Sequence, residues 1–428
     1  MSIYLALGSN KGDRKAFLRA ALNQLEAIAD FKIVRISPIY ESPALLPPLA
    51  PTEWLSPFLN LVVQGEGTSQ LDPATLLKEL QSIEARLGRH PGHEHWSPRE
   101  IDIDILFFND KMLKNSDLTL PHPQWTERSF VLDPLKDLNP SFKDPITQQS
   151  VLELSHRQKE HSPLWMGILN LTPDSFSDGG KYTDPGALSR QMQSLYESGC
   201  HIFDFGAEST RAKATPLTSH EELERLRPAL QIYKEIFASQ WDRPLLSIDT
   251  RHPQTALELA KDFNLDIVND VGGLRDPLWF EFLKNSTCDY VLMHSQSIPA
   301  DPSEKLPEDI DPLCYLRKWF TDKMQLFADH SLSLDRLILD PGIGFGKSAL
   351  QSLKILKNIH QLHDLNQRIL IGHSRKSFMN SFSSASFAER DPETVAMSLF
   401  LCRQGVDILR VHNVALHTRS HLAWNHLN

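Results

Sequence analysis

Asp102 and Asp104 stand two residues apart in the run "SPREIDIDILFF", residues 97–108, alternating with isoleucines. On a strand, side chains two apart point to the same face. Two carboxylates held there repel each other, at a cost that a cation or water must offset. A solvated edge strand would meet that need. So would a pair of Mg²⁺ ions bridging polyphosphate oxygens, the usual device of phosphoryl transfer. Arg99 lies just upstream and Arg89 opens the preceding loop. Arginine's permanent, forked charge suits phosphate oxygens. By residue type alone, both readings stay open.

A second group of such residues recurs at the ends of short apolar runs in the later part of the chain. These are Asn170, then Glu208 to Arg211, Asp249, Asn269, His294, Asp340, the trio Ser374, Arg375 and Lys376, and Arg410 with His412. The stretch "MGILNLTPDSFSDGG", residues 166–180, concentrates hydroxyl and acidic groups (Thr172, Asp174, Ser175, Ser177, Asp178) beyond what a turn needs. Positive clusters and carboxylates recurring at strand ends point to one shared pocket for a small, polar, anionic molecule.

The elements that must position these residues differ between the halves. The first mixes strand-like "IYLALGS", "FKIVRISPIY", "FLNLVVQGEG" and "IDIDILFF" with helix-like "RKAFLRAALNQLEAIA" and "PATLLKELQSIEARLG", where Pro73 suits a first helical turn. Two helices on a small mixed sheet predict a ferredoxin-like α+β sandwich. From about residue 140 the text is polar and proline-broken, with room for one short helix. The boundary falls within 155–163, giving domains of 1–158 and 159–428. The second half repeats strand-like runs: "LWMGILN", "HIFDFGAEST", "PLLSIDT", "DIVNDV", "DYVLMHS", "RLILDPG", "RILIGHS" and "DILRVHN". Eight strand–helix units over about 265 residues predict a (β/α)8 TIM barrel, with its chemistry at the C-terminal strand ends; a doubly wound sheet is the competitor.

At 428 residues the chain is long enough for two or three domains, and 41% hydrophobic content with 23% charged residues marks it as globular. A formal net charge of -10 argues against nucleic-acid or anionic-membrane partners, which need a basic surface. Four cysteines without Cys-x-x-Cys spacing make no disulfide framework and predict a reducing compartment. No apolar run is long enough to span a bilayer, and the start "MSIYLALGSN" enters a strand without leader features. A cytoplasmic enzyme is the expectation.

The run Trp96 to Leu106 reads W-x-P-R-x-I-D-I-D-I-L, with "LALGSN", "YESPALL" and "FLNLVV" before it and "LTLPHPQWTERSFVLDPL" after. Together these resemble 6-hydroxymethyl-7,8-dihydropterin pyrophosphokinase over most of residues 1–155. The resemblance implies that Asp102 and Asp104 hold two Mg²⁺ ions between ATP and the pterin hydroxymethyl group, with Arg89 and Arg99 beside them in catalysis. It implies a pterin clamp of Ser42, Pro43, Leu45, Phe58, Asn60 and Phe130. It also implies an ATP site with mobile loops, drawn from Gln81, Glu84, Arg89, Trp96, Arg99, Thr119, His122 and Arg128. Two departures remove positive charge: Pro91 replaces a phosphate-directed arginine, and Asp117 a basic residue. Weaker ATP affinity or slower chemistry is expected. His93 or His95 would compensate only in part, being partly protonated near neutral pH.

The segment 166–180, with "GAESTR", "DPGIGFGK", "GHSRKS" and "RVHN", resembles dihydropteroate synthase over nearly all of residues 160–428. The resemblance implies that para-aminobenzoate displaces diphosphate from a dihydropterin diphosphate. Mg²⁺ with Asn170 as a ligand, Arg410 and His412 would receive the leaving group. Asp249, Asn269, Asp340 and Lys376 would read the pterin ring, Asp249 and Lys376 counting as catalytic. Met293 and Phe345 would supply apolar contacts, Ser374 and Arg375 the aminobenzoate carboxylate site, and Thr210 and Arg211 a closing loop. In "STRAKAT", Ala212 and Lys213 stand for the commoner Pro and Gly, which should alter the loop's stiffness.

The chain thus reads as a bifunctional folate-pathway transferase using ATP and Mg²⁺, with small-molecule partners and a homodimer formed through the barrel. Two alternatives remain: a degenerate first half serving assembly, or a barrel acting in pterin-dependent methyl transfer, against which "SRKS", "RVHN" and the attached pyrophosphokinase speak. "LILDPGIGFGKS" imitates a phosphate-binding loop, but Pro341 occupies the place of its first glycine. A glycine-rich loop keeping backbone close to the pterin is preferred. His417, His421 and His426 are expected at the surface, the cysteines in the core, and "EELERLRPAL" as a solvated helical face.

Overall fold

The computed structural model describes residues 2–89, 94, 96–158, 161–171, 185–208, 216–298, 301 and 303–427. It divides into two compact units, Met1–Ser162 with Leu422–Asn428, and Pro163–His421.

In the first unit β1 (Ser2–Ser9), α1 (Arg14–Leu25), β2 (Phe31–Ile36), β3 (Tyr40–Ser42), β4 (Phe58–Gly67), α2 (Pro73–Arg86) and β5 (Asp102–Phe108) are followed by the short β6 (Leu113–Lys114) and β7 (Thr119–Leu120), then α3 (Ser129–Leu138) and α4 (Val151–His156). Asp13 and Asp72 cap α1 and α2 by accepting from backbone N–H groups, and Pro73 takes the first turn of α2, where no N–H is needed. The sheet runs β2-β4-β1-β5, with β3 also on β4, and all pairings are antiparallel. Its two faces have different fates. Tyr4, Val62 and Phe107 pack with Val131, Leu132 and Leu135 of α3. The other face, with Ile3, Leu5, Leu7, Ile103 and Ile105 buried, belongs to α1 and α2.

Asp102 and Asp104 lie on the α3 face, beyond the end of its apolar cover. They stand opposite Gly8 and Ala6 of β1. With so little side chain across from them, the carboxylates meet open space. A register shift between Tyr4 and Leu5 separates this polar end of the β1–β5 pair from the apolar end.

In the second unit β8 (Leu164–Asn170), α5 (Pro185–Glu197), β9 (Ile202–Gly206), α6 (Ser219–Phe237), β10 (Leu245–Asp249), α7 (Pro253–Leu259), β11 (Ile267–Asp270), α8 (Leu278–Lys284), β12 (Asp289–Met293), α9 (Pro312–Asp329), β13 (Leu337–Asp340), α10 (Ala349–Lys357), β14 (Arg368–Ile371), α11 (Asp391–Arg403), β15 (Ile408–Val411) and α12 (Val414–Asn425), the last counted here as far as His421, alternate. The eight strands close into one parallel barrel in chain order, β15 returning to β8. Closure removes both sheet edges, and the doubly wound alternative with them. Among the described residues, no helix is long and apolar enough to cross a membrane.

Three surface and core expectations are corrected. His417 and His421 are buried, because α12 turns this i,i+4 face onto the Trp165 ring, at centroid distances of 5.6 and 5.7 Å. Cys314 is exposed on α9, whereas Cys200, Cys288 and Cys402 are buried. On α6 the charged run is not wholly solvated: Glu222 is fully buried and accepts from the Thr250 hydroxyl at 2.6 Å.

Candidate active sites

In the first unit a cavity of about 400 Å³ opens over the aspartates. Ser42, Pro43, Leu45, Phe58, Asn60 and Phe130 line it, and so do Arg89, Trp96, Arg99, Asp102, Asp104, His122 and Arg128. Gly8 makes the floor possible, since a Cβ there would lie 3.1 Å from Asn60 Oδ1 and 3.4 Å from the Phe58 ring. Asn60 donates to Ser42 Oγ at 2.9 Å, fixing one wall.

The charges are paired across the cavity. Asp102 accepts from Arg89 at 2.8 Å and from Arg99 at 2.9 Å. Among the described residues, the ion-pair partners of Asp104 are distant, His122 Nε2 at 3.9 Å and Arg128 at 4.0 Å. Its surroundings are protein walls, although 41% of its side-chain surface faces the cavity. That burial, with the charge of Asp102, raises Asp104 to about 6. Burial, then the charge of Arg128, lowers His122 to about 4, so the ring is neutral near pH 7.

Glu84 stands behind the cavity wall. It accepts from Ile103 N at 2.8 Å and from Arg89, so it aims the arginine and is itself withdrawn. Burial raises it to about 7, against the pull of Arg89. Gln81 is exposed on α2, and Thr119 belongs to the β6–β7 ribbon; neither lines the cavity. Asp117 sits outside the lining as well, in a turn where Asn115 accepts from its N–H at 3.0 Å. Pro91, His93 and His95 lie outside the described residues.

Asn10 was not foreseen. Its Oδ1 accepts from Arg99 N at 2.8 Å and its own N–H donates to Arg99 O at 3.2 Å. The clamp fixes the arginine's backbone, and its signal was the buried polar end of "LGSN". Glu94, Ser97 and Gln124 also line the cavity.

In the barrel, Asn170, Gly206, Asp249 and Asn269 are register partners across four adjacent strands. Gly206 leaves the gap that Asn170 and Asp249 share; a Cβ there would lie 3.5 Å from Asp249 Cβ and 3.6 Å from Asn170 Oδ1. Arg410 bridges two carboxylates, donating from Nη2 to Asp249 at 2.7 Å and from Nε to Asp204 at 2.6 Å. Asp204 is fully buried, and it also accepts from Ser247 Oγ at 2.6 Å and Asn269 Nδ2 at 3.3 Å. It is the residue that sequence reasoning missed here. Its signal, an acid inside the apolar run "IFDFG", is the one that drew attention to "IDIDI". Burial raises Asp249 to about 7; the guanidinium of Arg410 opposes this, and the charge of Asp204 adds to it.

Lys376 donates to Ile343 O at 2.6 Å and lies over the Phe345 ring, 4.6 Å from its centroid. Burial lowers its ammonium to about 8. Asp340 accepts from Gly342 N at 2.7 Å and is register partner to Met293. Burial raises the Asp340 carboxyl, with Lys376 opposing. Ser374 Oγ pairs with His412 Nδ1 at 2.9 Å. Arg375 is engaged by both oxygens of Asp391, at 2.7 and 2.9 Å, from a backbone at φ 57. Thr210, Arg211, Ala212, Lys213 and the 172–180 segment lie outside the described residues. Among the described residues no cluster of three or more His, Cys, Asp or Glu side chains could hold a metal alone.

The loop after β13 differs from expectation. Its glycines serve the approach of β12 as much as any ligand: a Cβ on Gly342 would run into the His294 carbonyl, and one on Gly346 into the Gln296 side chain. Lys347, the lysine of the phosphate-loop imitation, is buried and turned inward.

One unit thus offers paired carboxylates in an arginine-lined cavity, the other a parallel barrel with a buried carboxylate–guanidinium lattice at its mouth: an enzyme with one site per domain. Residues 4–140 match the 7,8-dihydro-6-hydroxymethylpterin-pyrophosphokinase family, and residues 166–412 the pterin binding enzyme family. The folate synthesis bifunctional protein of Chlamydia caviae is 34% identical, over 99% of this chain and 98% of its own. Dihydropteroate synthase from Anaplasma phagocytophilum, solved with 6-hydroxymethylpterin-monophosphate, is 33% identical at a TM-score of 0.56, covering 62% of this chain and 98% of that one. The Xanthomonas albilineans enzyme, solved with 4-aminobenzoic acid, is 31% identical at a TM-score of 0.55, covering 62% of this chain and 93% of that one. The chain belongs to the bifunctional folate-synthesis family, transferases that join a pyrophosphokinase to a dihydropteroate synthase. ATP is therefore the co-substrate of its first half. Similarity to a folate synthesis bifunctional protein across both halves speaks against the methyl-transfer reading.

Proposed function

We propose that the first unit transfers diphosphate from ATP to 6-hydroxymethyl-7,8-dihydropterin, releasing AMP, through Asp102 and Asp104. The second couples the product to para-aminobenzoate, giving 7,8-dihydropteroate and diphosphate. The observation that carries this reading is the pair of aspartates on one strand face, open to a cavity shared with Arg89, Arg99 and Arg128.

The donor set fits Mg²⁺, which takes one or two carboxylates plus substrate phosphates and keeps water for the rest. Asp104, raised by burial and by its neighbour's charge, is a carboxylate that a dication would return to its ionised form. When bound, Mg²⁺ would neutralise polyphosphate oxygens at Asp102 and Asp104. Arg89 and Arg99, already aimed by Asp102, would turn their remaining donors to phosphate. Phe58, Phe130 and the Asn60–Ser42 pair would hold the pterin against them.

In the barrel, Asp249 is the acceptor for the donor edge of the pterin. That edge competes with Arg410, which Asp204 retains from its other side, leaving a guanidinium group for the departing diphosphate. Asn269, Asp340 and Lys376 complete the ring's partners, and Asn170 is the candidate Mg²⁺ ligand. The ligands named for the Anaplasma and Xanthomonas neighbours support pterin and aminobenzoate as the ligand classes here. A cytoplasmic setting goes with the reduced cysteines. A homodimer through the barrel is supported by the outward face of α11, where Ala396 and Phe400 are exposed.

The test is a coupled assay with ATP, Mg²⁺, the hydroxymethyl pterin and labelled aminobenzoate. Asp104→Ala should stop AMP release. Lys376→Ala should leave AMP release intact and stop label incorporation. Wild-type AMP release no faster than that of Asp104→Ala would overturn the kinase reading.

A further inference from the structure

Lys347 closes the run that imitates a phosphate-binding loop, and its ammonium is spent elsewhere. Nζ donates to His294 Nδ1 at 2.8 Å, Phe345 O at 2.9 Å and Gly342 O at 3.0 Å, with His294 O further off at 3.3 Å. An ammonium has three N–H donors, and the three nearest acceptors match that number; this geometry, with the charge of Asp340, favours the charged form against the burial that lowers Lys347 to about 7. Nδ1 can accept only from a neutral ring protonated on Nε2. Burial and the charge of Lys347 lower His294 to about 2, which keeps it neutral. The ring is further fixed by edge contacts with Trp319 at 4.9 Å and Tyr315 at 5.4 Å, and its backbone N–H donates to Asp340 O at 2.9 Å.

The loop so gathered, residues 341–346, bears what Lys376 rests on. Ile343 supplies the carbonyl that accepts from Lys376, and Phe345 the ring beneath its ammonium. Both lie between or at the carbonyls that Lys347 gathers, those of Gly342 and Phe345. Without that cation the carbonyls would lose their common partner, and buried unpartnered acceptors favour a rearranged loop.

We propose that Lys347 is a positioning residue of the synthase site: it draws the 341–346 loop onto the end of β12 and so holds Ile343 and Phe345 where they place Lys376 over the pterin. This rests on the reading of the barrel mouth as the pterin site. It assigns the lysine no contact with substrate.

The test is a double-mutant cycle on pterin binding, with Lys347→Met and Lys376→Ala singly and together, all in an Asn60→Ala, Phe130→Ala background that removes the first unit's own pterin clamp, titrated with 6-hydroxymethylpterin and read by fluorescence. Lys347→Met should weaken pterin binding by about tenfold where Lys376 is present and by less than about threefold in Lys376→Ala, because the residue it positions is gone. In turnover, Lys347→Met alone should raise the KM for the pterin diphosphate while leaving that for para-aminobenzoate within about twofold, with AMP release unchanged. If Lys347→Met does not yield a folded barrel, Lys347→Gln, which keeps two amide donors, is read in the same cycle, with a smaller loss and the same non-additivity. An equal loss in both backgrounds overturns the proposal. A wild type that incorporates no labelled aminobenzoate would overturn the synthase reading instead.

Discussion

Asp204→Asn tests the barrel's electrostatic lattice at a residue that no ligand need touch. Asp204 is fully buried, and one of its oxygens accepts from both Arg410 Nε and Asn269 Nδ2. An asparagine turned either way loses the charge-assisted bond to Arg410 or sets its amide against another donor. Such bonds are worth about 1.5–3 kcal/mol, and Asp249 still pairs Arg410, so a loss of about 2–3 kcal/mol is expected. If Arg410 serves the leaving diphosphate, that is about a 30- to 150-fold fall in synthase kcat/KM. The substitution also carries a signature in pH. Asp249 is raised to about 7, partly by the charge of Asp204. Removing that charge lowers the Asp249 pKa, so the acid limb of the synthase profile should move to lower pH. The assay is kcat/KM with supplied pterin diphosphate across pH 5–9, with AMP release as the internal control. A kcat/KM within twofold of wild type, or an acid limb that stays put or moves up, would refute the reasoning.

Other expectations follow from the same geometry. Asp104→Ala should abolish AMP release while leaving label incorporation from supplied pterin diphosphate within about twofold, since the two sites lie in separate units. AMP release should decline as pH falls through about 6, where Asp104 takes up its proton, and raising Mg²⁺ should move that limb lower because a cation competes with the proton. Chelation with EDTA should stop AMP release, and added Mg²⁺ should restore it. Gly342→Ala should destabilise the barrel by about 2–4 kcal/mol in urea unfolding, because φ is +63 and the new Cβ meets the His294 carbonyl. In the native protein a thiol reagent should label Cys314, whereas Cys200, buried and with its thiol pushed up to about 12, should react only on unfolding.

Much of this protein is local in origin and could be read from the chain alone. Period-two alternation in "IDIDI" put both aspartates on one face. The rhythm of apolar runs, each closed by a polar residue, required a repeating strand–helix unit, and a parallel barrel is how such units bury their strands on both sides. Caps at Asp13, Asp72, Thr218 and Ser348 are likewise written in neighbouring residues. What needed the tertiary structure was pairing between residues far apart. Arg410 and Asp204 are separated by 206 positions and Arg99 and Asn10 by 89, so no window on the sequence contains either bond. Burial behaves in the same way. His417 and His421 read as surface residues until α12 turned them onto Trp165, and Glu84 read as a nucleotide contact until β5 claimed its carboxylate. Spacing along a chain fixes which side chains share a face. Which atom a buried charge meets across a barrel depends on closure, and that is decided only when the last strand pairs with the first.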